Sequence, residues 1–124
     1  MASKRVLMID DEEDICEVAQ VSLELMTDLE LILAHTGATG IQMAQQEQPD
    51  AILLDVMLPD MDGISIFHAL QDNPSTRSIP VILLTARVQA EDQQRFSELA
   101  VKAVIAKPFK PATLAEQVTT LLSW

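Results

Sequence analysis

Five short apolar runs alternate with longer segments in which apolar residues recur at helical spacing. The runs are rich in Val, Ile and Leu and show little polar alternation, which is typical of strands buried on both faces of a parallel sheet. They cover residues 5–9, 29–34, 51–54, 80–84 and 102–106. The chain therefore predicts a parallel sheet with right-handed helical crossovers between its strands.

Helical periodicity predicts one helix after each strand. The positions that define four of these helices are Ile15, Val18, Ala19, Ser22 and Leu25; Ile41 and Ala44, after a Thr36 N-cap; Ile64, Phe67 and Leu70; and Leu114, Val118, Leu121 and Leu122, after Pro111. The predicted fourth helix, residues 90–99, is polar, with Phe96 and Leu99 as its main apolar residues. Five strands and five helices in alternation predict a doubly wound α/β fold of the flavodoxin-like type, with strand order 2-1-3-4-5.

Length and charge narrow the class of protein. A chain of 124 residues matches one domain, predicted to cover residues 1–124. It carries 8 Lys and Arg against 19 Asp and Glu, a net charge of −11, which argues against direct binding to nucleic acid or anionic lipid through a basic patch. The single Cys excludes a disulfide framework, and no apolar stretch approaches the ~20 residues of a membrane span. We therefore expect a soluble, cytoplasmic domain.

Acidic, hydroxyl and basic side chains stand where the predicted strands end. Asp10 and Asp11 follow the first strand, Asp55 the third, Thr85 the fourth and Lys107 the fifth. Carboxyl ends of parallel strands share one edge of the sheet, and ligands bind there at the point where the strand order reverses. We therefore expect these five residues to line one site between strands one and three.

Most of these residues also have an ordinary interpretation. Asp10 and Asp11, with the three acids that follow them, could simply place negative charge at the start of the first helix. Thr85 could be a strand-end hydroxyl and Lys107 a solvated end. Asp55 is harder to explain in this way, because its neighbours are apolar and a carboxylate in such surroundings is costly unless it is paired or binds a cation.

The joint placement of the five side chains indicates phosphate chemistry. Converging carboxylates without His or Cys suit a hard ion, and Mg²⁺ takes one or two carboxylates together with phosphate and water. A carboxylate such as Asp55 can act as a nucleophile and form an aspartyl phosphate when the charge on the phosphoryl oxygens is neutralised. Lys107 can supply a cation for this purpose and Thr85 a hydroxyl donor.

The ordered set of motifs resembles the receiver domain of bacterial two-component response regulators, the CheY-like family, over essentially the whole chain. The motifs are Asp10-Asp11, the segment LDVMLPDMDG over 54–63, Thr85-Ala86 and Lys107-Pro108-Phe109. The resemblance implies that Asp55 accepts a phosphoryl group from the phosphohistidine of a histidine kinase or phosphotransfer protein. It also implies a Mg²⁺ cofactor held by Asp11, Asp55 and the Met57 carbonyl, with Asp10 acting mostly through metal-bound water.

The same resemblance implies how the signal leaves the site. Lys107 would pair with the phosphoryl group, next to a cis bond at Pro108, and Thr85 would follow that group and switch the surface that a partner protein reads. Such a domain is a phosphorelay signalling module and not a turnover enzyme, apart from self-phosphorylation and slow autodephosphorylation. Receivers usually carry Tyr or Phe three residues before the lysine, and this chain has Val104 there. Val104 therefore departs from the usual aromatic switch.

Three other functions share part of this pattern. A phosphatase of the haloacid dehalogenase type needs a second Asp two residues after the nucleophile, where this chain has Met57. A flavodoxin needs a phosphate-binding loop and aromatic rings, whereas this chain has 3 Gly and no Tyr. A degenerate receiver, used only as a protein-binding scaffold, stays open because of Val104. It would take up no phosphoryl group from a small phosphodonor with Mg²⁺.

Overall fold

Strands and helices alternate along the residues that the computed structural model describes, which are 4–86, 94, 96, 98–107 and 109–124. The elements are β1 Arg5–Ile9, α1 Glu13–Met26, β2 Glu30–Ala34, α2 Gly37–Glu47, β3 Ala51–Asp55, α3 Gly63–Asp72, β4 Val81–Thr85, β5 Ala103–Ala106 and α4 Pro111–Leu121. All strand pairs are parallel, and the order in the sheet is β2-β1-β3-β4-β5. The predicted strand order is therefore confirmed.

The helices differ from the prediction in two respects. The described residues contain four helices and not five, because the predicted fourth helix over 90–99 falls largely outside them. Leu25, expected on the buried stripe of α1, is 80% exposed, while Cys16 and Leu23 are buried in its place. Ten residues at the α-helical repeat leave Leu25 about a fifth of a turn short of Ile15, on the side that faces away from the sheet. None of the described helices is both long and apolar enough to cross a membrane.

Helices cover both faces of the sheet, which explains why the strands lack polar alternation. Val6 and Met8 of β1 pack in a core with residues of α1 and α4. Leu7 and Ile9 point to the opposite face and pack with residues of α2 and α3. Successive side chains of a strand point to opposite faces, so a strand that is covered on both faces is apolar along most of its length. Each such side chain stabilises the fold by about 1.5–3 kcal/mol when it is fully buried.

The strand order reverses between β1 and β3, which pair directly. From there the chain crosses to β2 on one side and to β4 on the other, so the loops leaving β1 and β3 diverge above the sheet. Asp10 directly follows β1, and Asp55 is the last residue of β3. Thr85 ends β4 and Lys107 directly follows β5. The topology thus brings these predicted residues to one edge of the sheet.

Candidate functional site

The turn between β1 and α1 fixes the Asp10 carboxylate inside the protein. The backbone N–H of Asp10 continues the sheet by donating to the Ala34 carbonyl at 3.0 Å. Asp10 has no exposed surface, and its Oδ1 accepts a hydrogen bond from the Glu12 backbone N–H at 2.9 Å. Asp11, the next residue, is exposed. The two acids therefore occupy different environments, one held in the protein and the other open to solvent.

The end of β3 holds Asp55 under the start of α3. Asp55 is 3% exposed, and its Oδ1 accepts a hydrogen bond from the Met57 backbone N–H at 3.1 Å. Gly63, the first residue of α3, donates its N–H to the Val56 carbonyl at 2.8 Å. A Cβ at Gly63 would lie 2.4 Å from the Asp55 carbonyl oxygen, so the helix can approach the strand this closely only at a glycine. Asp62 caps the helix with its side chain.

Lys107 reaches from the end of β5 across the edge of the sheet into this group of acids. Its backbone N–H donates to the Thr85 carbonyl at 2.9 Å, which anchors it beside β4. Its side chain is 7% exposed. The Nζ atom lies 2.7 Å from Asp10 Oδ2, 2.9 Å from Glu12 Oε1 and 3.4 Å from Asp55 Oδ2. A single ammonium group therefore faces three carboxylates.

The acids can hold a hard divalent cation. One carboxylate oxygen from each of Asp10, Asp11 and Asp55 can be chosen so that all three lie within 4.8 Å of one another. Oδ2 of Asp10 and Oδ2 of Asp55 are buried and accept no hydrogen bond of ordinary geometry from the described residues. Their lone pairs face the Lys107 ammonium as an ion pair. This set of carboxylate oxygen donors fits Mg²⁺.

Burial and neighbouring charges shift the protonation of the site. Burial raises the pKa of Asp55 to about 6, the Met57 N–H opposes this shift, and the Asp10 charge adds to it. Burial alone would lower the pKa of Lys107, but the carboxylates of Asp10 and Glu12 beside its ammonium outweigh burial and raise that pKa. Near neutral pH the site therefore holds one lysine cation among several carboxylates, an excess of negative charge that a divalent cation can offset.

Most of the predicted site residues meet at this edge. Asp10, Asp11, Asp55 and Lys107 form the cluster described above, and Thr85 is 2% exposed at the end of the adjacent strand. Met57 is 56% exposed, and its N–H contacts Asp55. The remaining predicted features stand apart or are not described. Val104 lies within β5, opposite Leu83, and is 41% exposed, while Pro108 and its peptide bond lie outside the described residues.

Two contacts of the site are not evident from the sequence. The sequence indicates Glu12 only as a helix-terminal charge, yet its carboxylate binds Lys107 at 2.9 Å. Its place directly after the aspartate pair was the available signal. Asp60, in the loop after β3, accepts hydrogen bonds from the first backbone N–H groups of α2, those of Gly37 at 2.9 Å and Ala38 at 3.2 Å. No motif in the sequence predicts the contact between Asp60 and the start of α2.

Comparison with known proteins identifies relatives that match nearly the whole chain. The model of the response regulator receiver domain family matches residues 6–119. The alkaline phosphatase synthesis transcriptional regulatory protein PhoP of Bacillus subtilis is 34% identical over 120 residues, which are 97% of this chain and 49% of that protein. Response regulator PleD of Caulobacter vibrioides is 37% identical over 120 residues, 96% of this chain and 26% of that protein. The chain thus spans half or less of these relatives.

A solved structure is also similar to this chain over nearly its whole length. The receiver domain of sensor histidine kinase PA1611 from Pseudomonas aeruginosa, crystallised with a magnesium ion coordinated in its active site cleft, superposes with a TM-score of 0.86 at 26% identity. The match covers 99% of this chain and 100% of that one. The similarity therefore extends over the complete fold and includes the edge of the sheet where the acids lie.

Proposed function

The chain belongs to the response regulator receiver domain family, and from this premise we propose that it is a signalling domain controlled by phosphorylation of Asp55. The observation that carries the proposal is the position of Asp55. Its carboxylate is buried at the end of β3, lies 3.4 Å from the Lys107 ammonium and shares a cluster of oxygen atoms with Asp10 and Asp11. A nucleophilic oxygen, a cation and candidate metal ligands therefore surround one point.

The proposed reaction transfers a phosphoryl group from a histidine to Asp55. An oxygen of the ionised Asp55 attacks the phosphorus of phosphohistidine on a histidine kinase or phosphotransfer protein. The new P–O bond forms as the P–N bond breaks. The electron pair of the P–N bond stays on the imidazole nitrogen, which takes up a proton. In the slow reverse of the signal, a water oxygen attacks the phosphorus, the P–O bond to Asp55 breaks, and inorganic phosphate leaves.

The residues around Asp55 supply electrostatic stabilisation for this transfer. Lys107 places its positive charge where the phosphoryl oxygens would gather negative charge, and its backbone bond to Thr85 keeps the two strand ends together. Thr85 offers a hydroxyl donor at the same edge. Mg²⁺, held by Asp10, Asp11, Asp55 and the Met57 carbonyl, would neutralise the phosphoryl oxygens further.

The proposed output is a change in the conformation of a surface that a downstream protein binds. Thr85 is the proposed switch residue, as the resemblance to receiver domains implies, and it is buried at the end of the strand next to that of the acceptor. Val104 stands at the second switch position, where a valine offers no ring to move. We therefore expect the response near the end of β4.

Treatment with acetyl phosphate tests the proposal. Acetyl phosphate with Mg²⁺ should add one phosphoryl group to the chain, observed by intact mass, and chelation of the Mg²⁺ should prevent the addition. Asp55→Asn should abolish it, whereas Asp72→Asn, which alters an exposed acid at the end of α3, should leave it intact. A phosphoryl group that persists in Asp55→Asn, or that peptide mapping places on His35 or His68, would exclude Asp55 as the acceptor. An unmodified wild-type chain would instead favour a scaffold.

A further inference from the structure

Glu12 is tied to the site at both its backbone and its side chain. It is the N-cap residue of α1, but its side chain makes no capping hydrogen bond to the helix. The carboxylate turns instead to Lys107 and accepts a hydrogen bond from Nζ at 2.9 Å. The Glu12 backbone N–H is fixed at the same time by Asp10 Oδ1 at 2.9 Å. Glu12 is therefore built into the site and is not merely a charge at a helix end.

The Lys107 ammonium has three protons and faces three carboxylates. Of the three, Asp55 is the most distant from Nζ at 3.4 Å. A phosphoryl group on Asp55 adds oxygens that attract the same ammonium, and a movement of Nζ towards them would lengthen its contact with Asp10 or with Glu12. The Asp10 carboxylate is fully buried and would be left without its cation, which is costly. The Glu12 side chain is 55% exposed and can be hydrated when it is released.

We propose that Glu12 is a positioning residue that holds Lys107 in the unphosphorylated domain and releases it to the phosphoryl group on Asp55. This inference rests on the proposed function. Because the contact exists only in the unphosphorylated state, it favours that state over the phosphorylated one. Ion pairs with an exposed partner are weak, so we expect Glu12 to reduce the affinity for a bound phosphoryl mimic by about two- to fivefold.

Beryllofluoride, which stands in for the phosphoryl group, gives a direct measurement. Its dissociation constant would be determined at saturating Mg²⁺ for wild type, Glu12→Gln and Glu12→Asp. Glutamine removes the charge, whereas aspartate keeps the charge but is one methylene shorter and better suited to cap α1. We expect both variants to bind beryllofluoride about two- to fivefold more tightly. The control Glu13→Gln removes an exposed charge from the first turn of α1 and should bind as wild type does.

A second readout separates loss of the contact from a general change of charge. If release of Lys107 is the step that Glu12 opposes, the self-phosphorylation rate should rise by the same factor with acetyl phosphate and with phosphoramidate. A purely electrostatic effect of Glu12 would appear in Glu12→Gln and Glu13→Gln but not in Glu12→Asp, and it would overturn the inference. Wild-type affinity in both Glu12 variants would also overturn it. A wild-type chain that is not phosphorylated on Asp55 would instead contradict the proposed function.

Discussion

Nζ of Lys107 lies 2.7 Å from Oδ2 of Asp10, a carboxylate without exposed surface. Removing one partner of such a pair leaves the other as an uncompensated buried charge. We therefore expect Lys107→Met to lower the free energy of unfolding by about 3 kcal/mol near neutral pH without Mg²⁺. Urea denaturation followed by circular dichroism measures this loss.

The control for this prediction is Lys102→Met, because Lys102 is exposed and no ion pair is described for it. The free energy of unfolding of that variant should lie within about 0.5 kcal/mol of the wild-type value, as is usual for surface substitutions. If both lysine variants lost the same free energy of unfolding, the loss would come from the lower positive charge alone, and the ion pair with Asp10 would add no stability.

The raised pKa of Asp55, about 6 against an ordinary 3.8, predicts a pH dependence of stability. Between these values the folded state binds more protons than the unfolded state, so the stability that protonated Asp55 contributes is present below about pH 4 and lost as the pH rises through 6. Asp55→Asn lacks this dependence. Its advantage in unfolding free energy over wild type should grow from near zero around pH 4 to on the order of 3 kcal/mol around pH 7.

Urea denaturation in EDTA across this pH range gives the comparison, with Asp72→Asn as the control at an exposed acid. An advantage of Asp55→Asn that does not change with pH would show that Asp55 titrates normally in the folded protein.

Parallel topology is the part of the site that the sequence could predict. The short apolar run that ends in Asp55 is typical of a buried strand, and parallel strands carry their last residues to one edge. The same reasoning places Lys107 and Thr85 correctly. It depends on strand order alone and not on the path of any loop.

Contacts that depend on side-chain reach and loop path could not be predicted in the same way. Glu12 binds Lys107 because a particular turn after β1 aims a long side chain across the sheet edge. Asp60 meets Gly37 because the loop after β3 bends over the start of α2. Leu25 was also predicted wrongly, because a spacing of ten residues does not return to the same face of an α-helix, and its side chain faces solvent.

Asp11 is exposed, and no ion pair is described for it, although one of its carboxylate oxygens lies within 4.8 Å of oxygens from Asp10 and Asp55. Removing its charge should relieve repulsion in the absence of metal, so Asp11→Asn should melt a few degrees higher than wild type without Mg²⁺. The same variant should gain less from added Mg²⁺, because it has lost a ligand.

Thermal melts with and without Mg²⁺ measure both effects of Asp11→Asn. Asp28→Asn, which removes an exposed charge beyond α1, should respond to Mg²⁺ as wild type does. A lower melting temperature of Asp11→Asn without metal would indicate that the acids of the cluster do not repel one another.

Asp60 ties the loop after β3 to α2 through the backbone N–H groups of Gly37 and Ala38, and these bonds lower the pKa of Asp60. A group with a lowered folded pKa contributes stability above its ordinary pKa and loses it as the pH falls. Asp60→Ala should therefore melt below wild type near neutral pH, and the difference should shrink towards pH 3. Asp60→Asn keeps one acceptor oxygen, so its melting temperature should lie between those of wild type and Asp60→Ala. A difference in melting temperature that stays constant with pH would show that the charge of Asp60 does not stabilise the start of α2.

β5 carries no aromatic ring that could pass the signal out of the site. Val104 is 41% exposed, and its β-branched side chain is stiff at χ1, so it cannot alternate between two positions as an aromatic ring can. Beryllofluoride with Mg²⁺ should therefore shift amide signals in β5 less than those over 86–96, a segment that lies mostly outside the described residues. Val104→Tyr should enlarge the β5 shifts while phosphorylation of Asp55 continues, and Val104→Ile should behave as wild type. Large β5 shifts in wild type would show that the strand itself carries the change, because a population shifts only where the two states make different contacts.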